Sequence, residues 1–103
     1  MLPKKFRLPS QIKFIHPRSV FTPLFTVKIV QNNLDYSRFG VIVSKKIDKR
    51  AVVRNSIKRK IRSCITKDNW EKKGQDVLFI VKPDAKKEEP SLRNKAEEVL
   101  KNL

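Results

Sequence analysis

Three short stretches of the chain carry the apolar patterns expected of β-strands, namely residues 24–30, 38–44 and 76–82. In the first two stretches, apolar residues alternate with other residues, which predicts strands with one buried face. The third stretch is apolar on both faces except at its end, where Pro83 stops it. Residues 32–35 have turn chemistry, so we expect the first two strands to form a hairpin.

Two further stretches have the apolar spacing of amphipathic helices. The first runs from residue 51 to about residue 66, with Asp48 as a candidate N-cap. Its apolar stripe consists of Val53, Ile57, Ile61, Cys64 and Ile65. The second covers residues 90–103 and begins at Pro90, a residue suited to the first turn of a helix. Residues 1–23 hold four prolines, so this segment is expected to be irregular or to contain one short helix.

The predicted elements follow the order strand, strand, helix, strand, helix within one domain that spans residues 1–103. This order favours an α/β (α+β) two-layer sandwich, with helices mainly on one face of a small sheet. The other face of the sheet then forms an open floor, which is poor in apolar residues. Its residues are Thr26, Lys28, Arg38, Gly40, Ile42 and Lys82.

The chain carries a large excess of positive charge. Its 25 lysines and arginines outnumber 10 acidic residues, so the net charge is +15. Such an excess weakens the compact state by self-repulsion, and a polyanionic partner is therefore expected. The excess is concentrated between Arg38 and Arg62, where ten basic residues accompany one acid, Asp48.

Composition excludes several other classes of protein. One cysteine cannot form an internal disulfide, and one cysteine with one histidine cannot build a structural zinc site. No apolar run approaches the length of a membrane span or of a secretory signal. We therefore expect a cytoplasmic protein that does not interact with membranes.

The first predicted helix carries a basic ridge. Arg54, Lys58 and Arg62 are spaced i, i+4 and i+8, and Asn55 and Arg59 lie beside them. A helix ridge repeats about every 5–6 Å, which is close to the spacing of phosphates along a single strand. Arginine binds phosphate in a planar, bidentate way, and asparagine offers both a donor and an acceptor to a sugar or a base. The ridge therefore predicts nucleic-acid binding.

Several short motifs follow one another in this basic segment with a characteristic spacing. They are Arg38-x-Gly40, Ser44-Lys45-Lys46, Ala51-Val52, Arg54-Asn55, Lys58-Arg59 and Arg62. In residue type and spacing, this series resembles the signature of the bacterial ribonuclease P protein component family. A weaker resemblance extends from about Leu2 to Pro83, which is most of the chain.

The resemblance implies a mixed sheet like that of the second domain of ribosomal protein S5, with a left-handed β-α-β crossover. It implies the protein subunit of a ribonucleoprotein enzyme that removes the 5′ leader from precursor tRNA. Catalysis is expected to reside in the RNA, with Mg²⁺ bound mainly by that RNA. The implied partners are one catalytic RNA and precursor tRNA, and no protein residue is expected to be catalytic or to bind metal.

The resemblance also assigns site residues. Those implied to bind RNA are Arg38, Lys45, Lys46, Arg50, Arg54, Asn55, Lys58, Arg59 and Arg62. Those implied to bind the leader are Phe14, Phe21, Lys28, Lys58 and Arg62. The family has a helix with phenylalanines as one wall of a cleft, for which Phe14 and Phe21 are the candidates here. Lys28 stands where the family often has an aromatic residue, and a lysine contacts phosphate without stacking on a base.

Two other functions fit parts of the sequence. A structural ribosomal protein or another rRNA-binding protein would share the size and charge, but the motif series argues against it. A protein-only nuclease would need clustered carboxylates, whereas only Asp48 lies near the basic ridge.

Overall fold

A four-stranded mixed sheet packed against two long helices makes up residues 4–8, 17–71, 74–83 and 89–101, which the computed structural model describes. The strands are β1 (Arg18–Phe21), β2 (Phe25–Gln31), β3 (Arg38–Ile42) and β4 (Gln75–Val81). The helices are α1 (Ala51–Ser63), the short α2 (Lys67–Trp70) and α3 (Glu89–Lys101). A 3-10 turn at Lys4–Phe6 precedes these elements.

The core lies between one face of the sheet and the two long helices, which confirms the predicted two-layer sandwich. The predicted strand phases are also confirmed, because the residues assigned to the inner face are buried. The core residues of the strands include Phe25, Val27, Ile29, Phe39, Val41, Val77 and Phe79. Those of the helices and the turn after α1 include Ile57, Ile61, Cys64, Ile65, Leu92, Ala96, Val99 and Leu100.

Strand order differs from the sequence prediction. The order is β1-β2-β4-β3, so β4 separates the two strands that were expected to form a hairpin, and that prediction is wrong. β4 pairs antiparallel with β2 and parallel with β3. The reason is that β4 is apolar on both faces, and the centre of a sheet covers such a strand best. Because α1 carries the chain back across the sheet, β3 and β4 can pair in parallel.

β1 is a second difference, because residues 1–23 were expected to be irregular or to hold a short helix. β1 pairs antiparallel with β2 along its whole length. It is an edge strand, so Pro17 and Pro23, which flank it, interrupt no central hydrogen-bond ladder. The short helix expected between residues 10 and 16 lies outside the described residues.

The ends of α1 also differ from the prediction. Arg50 is the N-cap residue, so the assignment of Asp48 as the cap is wrong. The Asp48 carboxylate instead accepts hydrogen bonds from the backbone N–H and the guanidinium of Arg50. α1 ends earlier than predicted, at Ser63, because Thr66 starts α2. There the backbone N–H of Thr66 donates to Asn69 Oδ1 at 2.8 Å.

The N-terminal segment, residues 4–8, lies along the outer edge of β3. Arg7 forms a parallel bridge with Phe39, and the backbone N–H of Leu8 donates to the Phe39 carbonyl at 2.9 Å. The Leu8 side chain rests on Gly40, where a Cβ would come within 3.1 Å of Leu8 Cδ1. The glycine therefore permits the close approach of this segment to the sheet.

A buried carboxylate, Asp76, joins the start of β4 to β3 and to the turn that follows β2. Arg38 donates from Nε to Oδ1 at 2.9 Å and from Nη2 to Oδ2 at 2.7 Å. Asn32 Nδ2 donates to Asp76 Oδ1 at 2.8 Å. Asp76 is only 2% exposed, so its charge depends on these donors.

We predict that Asp76→Ala lowers the free energy of unfolding by about 2–4 kcal/mol, since it leaves Arg38 and Asn32 without their acceptor. Urea denaturation of the two proteins measures the difference. The matched control is Asp35→Ala, which removes an exposed carboxylate and should change stability by less than about 0.5 kcal/mol. Equal effects of the two substitutions would contradict the role given to Asp76.

Candidate nucleic-acid interface

The basic ridge of α1 is present where the helical spacing predicted it. Arg54, Lys58 and Arg62 are half-buried, whereas Asn55 and Arg59 are exposed. On the inner side of the same helix, the apolar stripe is buried in the core. The ridge therefore borders the apolar stripe, and Asn55 and Arg59 point further out toward solvent.

The C-terminal end of the ridge reaches the outer edge of β3. α1 packs against β3 and α3, and β3 is the last strand of the sheet. Arg7, which bridges to Phe39 of β3, lies at this edge as well. Burial lowers the pKa of the Arg62 guanidinium, and the charge of Arg7 lowers it further. The ridge thus passes along one side of the sheet.

The face of the sheet opposite the helices contains the residues that the sequence assigned to the open floor. Strand register aligns two rows across all four strands. One row consists of Ser19, Lys28, Leu78 and Gly40, and the next of Phe21, Thr26, Ile80 and Ile42. The predicted strand phase of Lys28 is confirmed, because its side chain is half-buried on this face while Val27 and Ile29 are buried in the core.

The second row is mainly apolar and partly exposed. Phe21 is 74% exposed and Ile42 is 47% exposed, although both are large apolar residues. Lys82 borders the row, with Nζ donating to the Thr22 carbonyl at 2.8 Å and lying 6.0 Å from the centroid of the Phe21 ring. The face thus offers apolar surface for flat groups next to lysines for anions. Phe14, the other phenylalanine assigned to this cleft, lies outside the described residues.

Two of the arginines assigned to RNA binding hold carboxylates. Hydrogen bonding to Asp76 raises the pKa of Arg38, whose side chain is 22% exposed. Hydrogen bonding to Asp48 raises the pKa of Arg50, whose side chain is 71% exposed. Arg38 therefore contributes to the floor of the sheet, whereas Arg50 remains accessible at the start of α1.

Lys45 and Lys46 lie in the turn after β3 and are exposed, close in sequence to the start of α1. With Arg50, they add exposed cations to the loop that leads into α1. The structure thus brings most of the predicted RNA-binding residues onto α1 and the loop before it. Sequence reasoning missed Arg7, because its place beside Arg62 results from pairing with Phe39, which has no local sequence signal.

Within the described part of the chain, no group of three or more His, Cys, Asp or Glu side chains could hold a metal ion. The described helices also include none that is long and apolar enough to cross a membrane. Cys64 is buried in the core, as its position on the apolar stripe predicted.

Comparison with known proteins identifies the family of this chain. The family model described as Ribonuclease P matches residues 2–103, nearly the whole chain. The chain belongs to the ribonuclease P protein family. The resemblance seen in the motifs between Arg38 and Arg62 is therefore confirmed.

Curated relatives and solved structures agree with this membership. The chain is 44% identical over 69 residues to the ribonuclease P protein component of Syntrophus aciditrophicus, covering 65% of this chain and 56% of that protein. It is 38% identical over 84 residues to that of Nitrosomonas eutropha, covering 76% of this chain and 69% of that protein. The fold matches the RNase P protein of Thermotoga maritima with a TM-score of 0.74, at 28% identity, over 85% of this chain and 84% of that one.

The Staphylococcus aureus RNase P protein matches with a TM-score of 0.72, at 34% identity, over 82% of this chain and 79% of that one. The match to the Syntrophus protein, by contrast, spans little more than half of that protein's length. Family and fold are therefore shared by this chain, while the roles of individual site residues stay predictions.

We predict that Arg54→Ala and Arg59→Ala each weaken binding to a bacterial ribonuclease P RNA roughly five- to tenfold at about 0.1 M salt, through loss of one phosphate contact. Each should also reduce the slope of log affinity against log salt concentration by about one unit. Filter binding over a series of salt concentrations measures both quantities.

The control is Arg18→Ala, which removes an exposed arginine from β1, at the opposite edge of the sheet. It makes the same change in net charge and should leave the slope nearly unchanged. If Arg54→Ala and Arg59→Ala behave like this control, the ridge is only a solvated surface.

Proposed function

We propose that this chain is the protein subunit of ribonuclease P, in which a catalytic RNA removes the 5′ leader from precursor tRNA. The observation that carries the proposal is the basic ridge of α1, a helix that packs against the edge strand β3, in a chain of this family. The open sheet face begins at the same edge, so an RNA bound to the ridge would bring a single strand near that face.

In this function the ridge neutralises phosphates of the catalytic RNA. Arg59 and Asn55 are exposed and reach outward, so they contact the RNA on the side of α1 away from the sheet. Arg54, with its planar guanidinium, adds a bidentate phosphate contact. These contacts hold the protein in one orientation on the RNA and carry no sequence preference of their own.

The open face holds the leader. Lys28 is the cation of the row that crosses the middle of the sheet, about two strand spacings, or roughly 10 Å, from β3. Phe21, Ile80 and Ile42 in the next row provide apolar surface for the faces of bases. Because apolar surface and backbone phosphates are common to all single strands, this face can accept leaders of different sequence.

The chemistry of cleavage is assigned to the RNA. We propose that Mg²⁺ is held mainly by RNA, and that the protein raises substrate affinity by binding the leader. The particle would contain one catalytic RNA and would work in the cytoplasm. Membership of the ribonuclease P family argues against the alternative of a structural ribosomal protein.

Reconstitution tests the proposal as a whole. We predict that the purified protein alone cleaves no precursor tRNA, and that adding a bacterial ribonuclease P RNA yields mature 5′ ends at low Mg²⁺ concentration. The RNA alone, at the same Mg²⁺ concentration, is the control. Cleavage by RNA-free protein, or no stimulation of several different ribonuclease P RNAs, would rule the proposal out.

The position of the leader is tested by two lysines. We predict that Lys28→Ala and Lys58→Ala weaken the binding of precursor tRNA to the assembled holoenzyme, while assembly stays nearly intact and mature tRNA binds as before. The loss should disappear when the leader is shortened to one or two nucleotides, because the contacted phosphates are then absent.

The measurement is precursor-tRNA affinity at several leader lengths for the wild type and both variants. Lys101→Ala, which removes an exposed lysine at the end of α3, is the control and should bind like the wild type. An equal loss at every leader length would place Lys28 and Lys58 on the catalytic RNA instead.

A further inference from the structure

An aromatic cluster fixes the N-terminal segment to the body of the protein. The ring of Phe6 stacks on Trp70, with centroids 5.1 Å apart and an angle of 18° between the planes. It also meets Tyr36 edge-on, with centroids 5.4 Å apart and an angle of 82°. Lys5 Nζ lies 4.6 Å from the centroid of the Tyr36 ring, a cation–π contact. Three rings from distant parts of the chain thus hold a segment that begins near the N-terminus.

The backbone of this segment sets the direction of Arg7. In a parallel pair, aligned residues point to the same side of the sheet, and Arg7 is aligned with Phe39. Phe39 points into the core, so Arg7 is on the side of the helices. Leu8, the next residue, is on the open side, where its side chain rests on Gly40.

This direction brings Arg7 to the end of the basic ridge. Arg62 occupies the last turn of α1, a few residues before Trp70, on which Phe6 stacks. Burial lowers the pKa of the Arg62 guanidinium, and the charge of Arg7 lowers it further. An anion bound between two guanidiniums is attracted by both. Arg7 is exposed, and Arg62 is half-buried, so an anion can reach both.

We propose that Arg7 and Arg62 form a two-arginine site for a single RNA phosphate, and that Phe6 is the positioning residue that holds Arg7 in it. This inference rests on the proposed function, because it extends the ridge by one residue from outside α1. It differs from the assignment of Arg62 alone, since the site is complete only when residues 4–8 are docked on β3.

A phosphate diester fits this pair better than a carboxylate does. A phosphodiester strand repeats its charges at a spacing close to that of the helix ridge, whereas an isolated carboxylate presents one charge only. The pair also continues the ridge of Arg54 and Lys58, so the ligand is the next phosphate of a strand already bound there. That strand belongs either to the catalytic RNA or to the leader of the substrate.

A double-mutant cycle tests the site. Arg7→Ala, Arg62→Ala and the double variant are compared with wild type for binding to a bacterial ribonuclease P RNA, and for binding of precursor tRNA to the holoenzyme. In one of these two assays, the double variant should reduce the slope of log affinity against log salt by about one unit, the value for one phosphate. Each single variant should lose affinity, and the double variant should lose less than the product of the two fold-losses.

Every outcome of the cycle bears on the proposal. Coupled losses in the RNA assay place the phosphate in the catalytic RNA, and coupled losses only with long leaders place it in the substrate. A slope reduced by two units, with multiplicative losses, means two separate phosphates and overturns the shared site. A slope equal to that of the Arg18→Ala control overturns it as well.

The positioning role of Phe6 has its own test. Phe6→Ala should reproduce the loss of affinity and of salt slope seen for Arg7→Ala, although it removes no charge. Adding Phe6→Ala to Arg7→Ala should cause no further loss, and Phe6→Tyr, which keeps the ring, should restore binding. If Phe6→Ala lowers thermal stability but leaves the salt slope at the wild-type value, Phe6 is merely structural and that part of the proposal is wrong.

The outcomes also separate this inference from the proposed function. If wild-type protein does not stimulate any ribonuclease P RNA, the proposed function fails before the variants are compared. If the wild type assembles and stimulates cleavage, and Arg7→Ala has no effect in either assay, only the two-arginine site fails.

Discussion

The central position of β4 in the sheet is the constraint on which the remaining architecture depends. β4 is apolar on both faces and lies between β2 and β3, with antiparallel pairing on one side and parallel pairing on the other. Parallel pairing with β3 requires a crossover, and α1 provides it. Because the apolar stripe of α1 is buried against the sheet, its ridge of cations must lie at the border of that layer. The position of the basic ridge thus follows from the burial of β4 between its two neighbouring strands.

The charges of the protein divide into two groups with different roles. Arg38 and Arg50 each form paired hydrogen bonds to a carboxylate, Asp76 and Asp48 respectively, and these pairs stabilise the sheet and the loop before α1. The ridge of α1 has no acidic residue within the helix to balance it. A helix that served only as a solvated surface would gain from mixed charges at i and i+4 spacing. The imbalance is therefore explained best by a polyanion that binds there.

The local pattern of apolar residues predicted much of this structure. It failed where the result depends on contacts between distant parts of the chain. The inner faces of β2 and β3, the stripe of α1 and the phase of Lys28 all follow from periodicity, because one buried face determines which residues point inward. The prediction that β2 and β3 form a hairpin was wrong. The stability gained by burying both faces and both edges of β4 cannot be judged from the sequence of β2 or β3 alone. β1 was missed because flanking prolines are tolerated at a sheet edge, and the position of that edge was unknown.

The candidate site was likewise predicted only in part. The ridge was visible in the spacing of Arg54, Lys58 and Arg62, since a single helix determines their relation. Arg7 was not visible, because its place beside Arg62 depends on the bridge to Phe39 and on the stacking of Phe6 against Trp70. The motif series supplied the family, which periodicity and charge alone would not have distinguished from other RNA-binding proteins.

We propose that the outer side of α1 and the open sheet face contact two different RNAs at the same time. Site-specific photo-cross-linking in a holoenzyme bound to precursor tRNA tests it most directly, with the probe placed at position 59 or at position 28. We expect the probe at position 59 to cross-link to the catalytic RNA and the probe at position 28 to cross-link to the leader of the substrate. Cross-linking of both positions to the same RNA would contradict it.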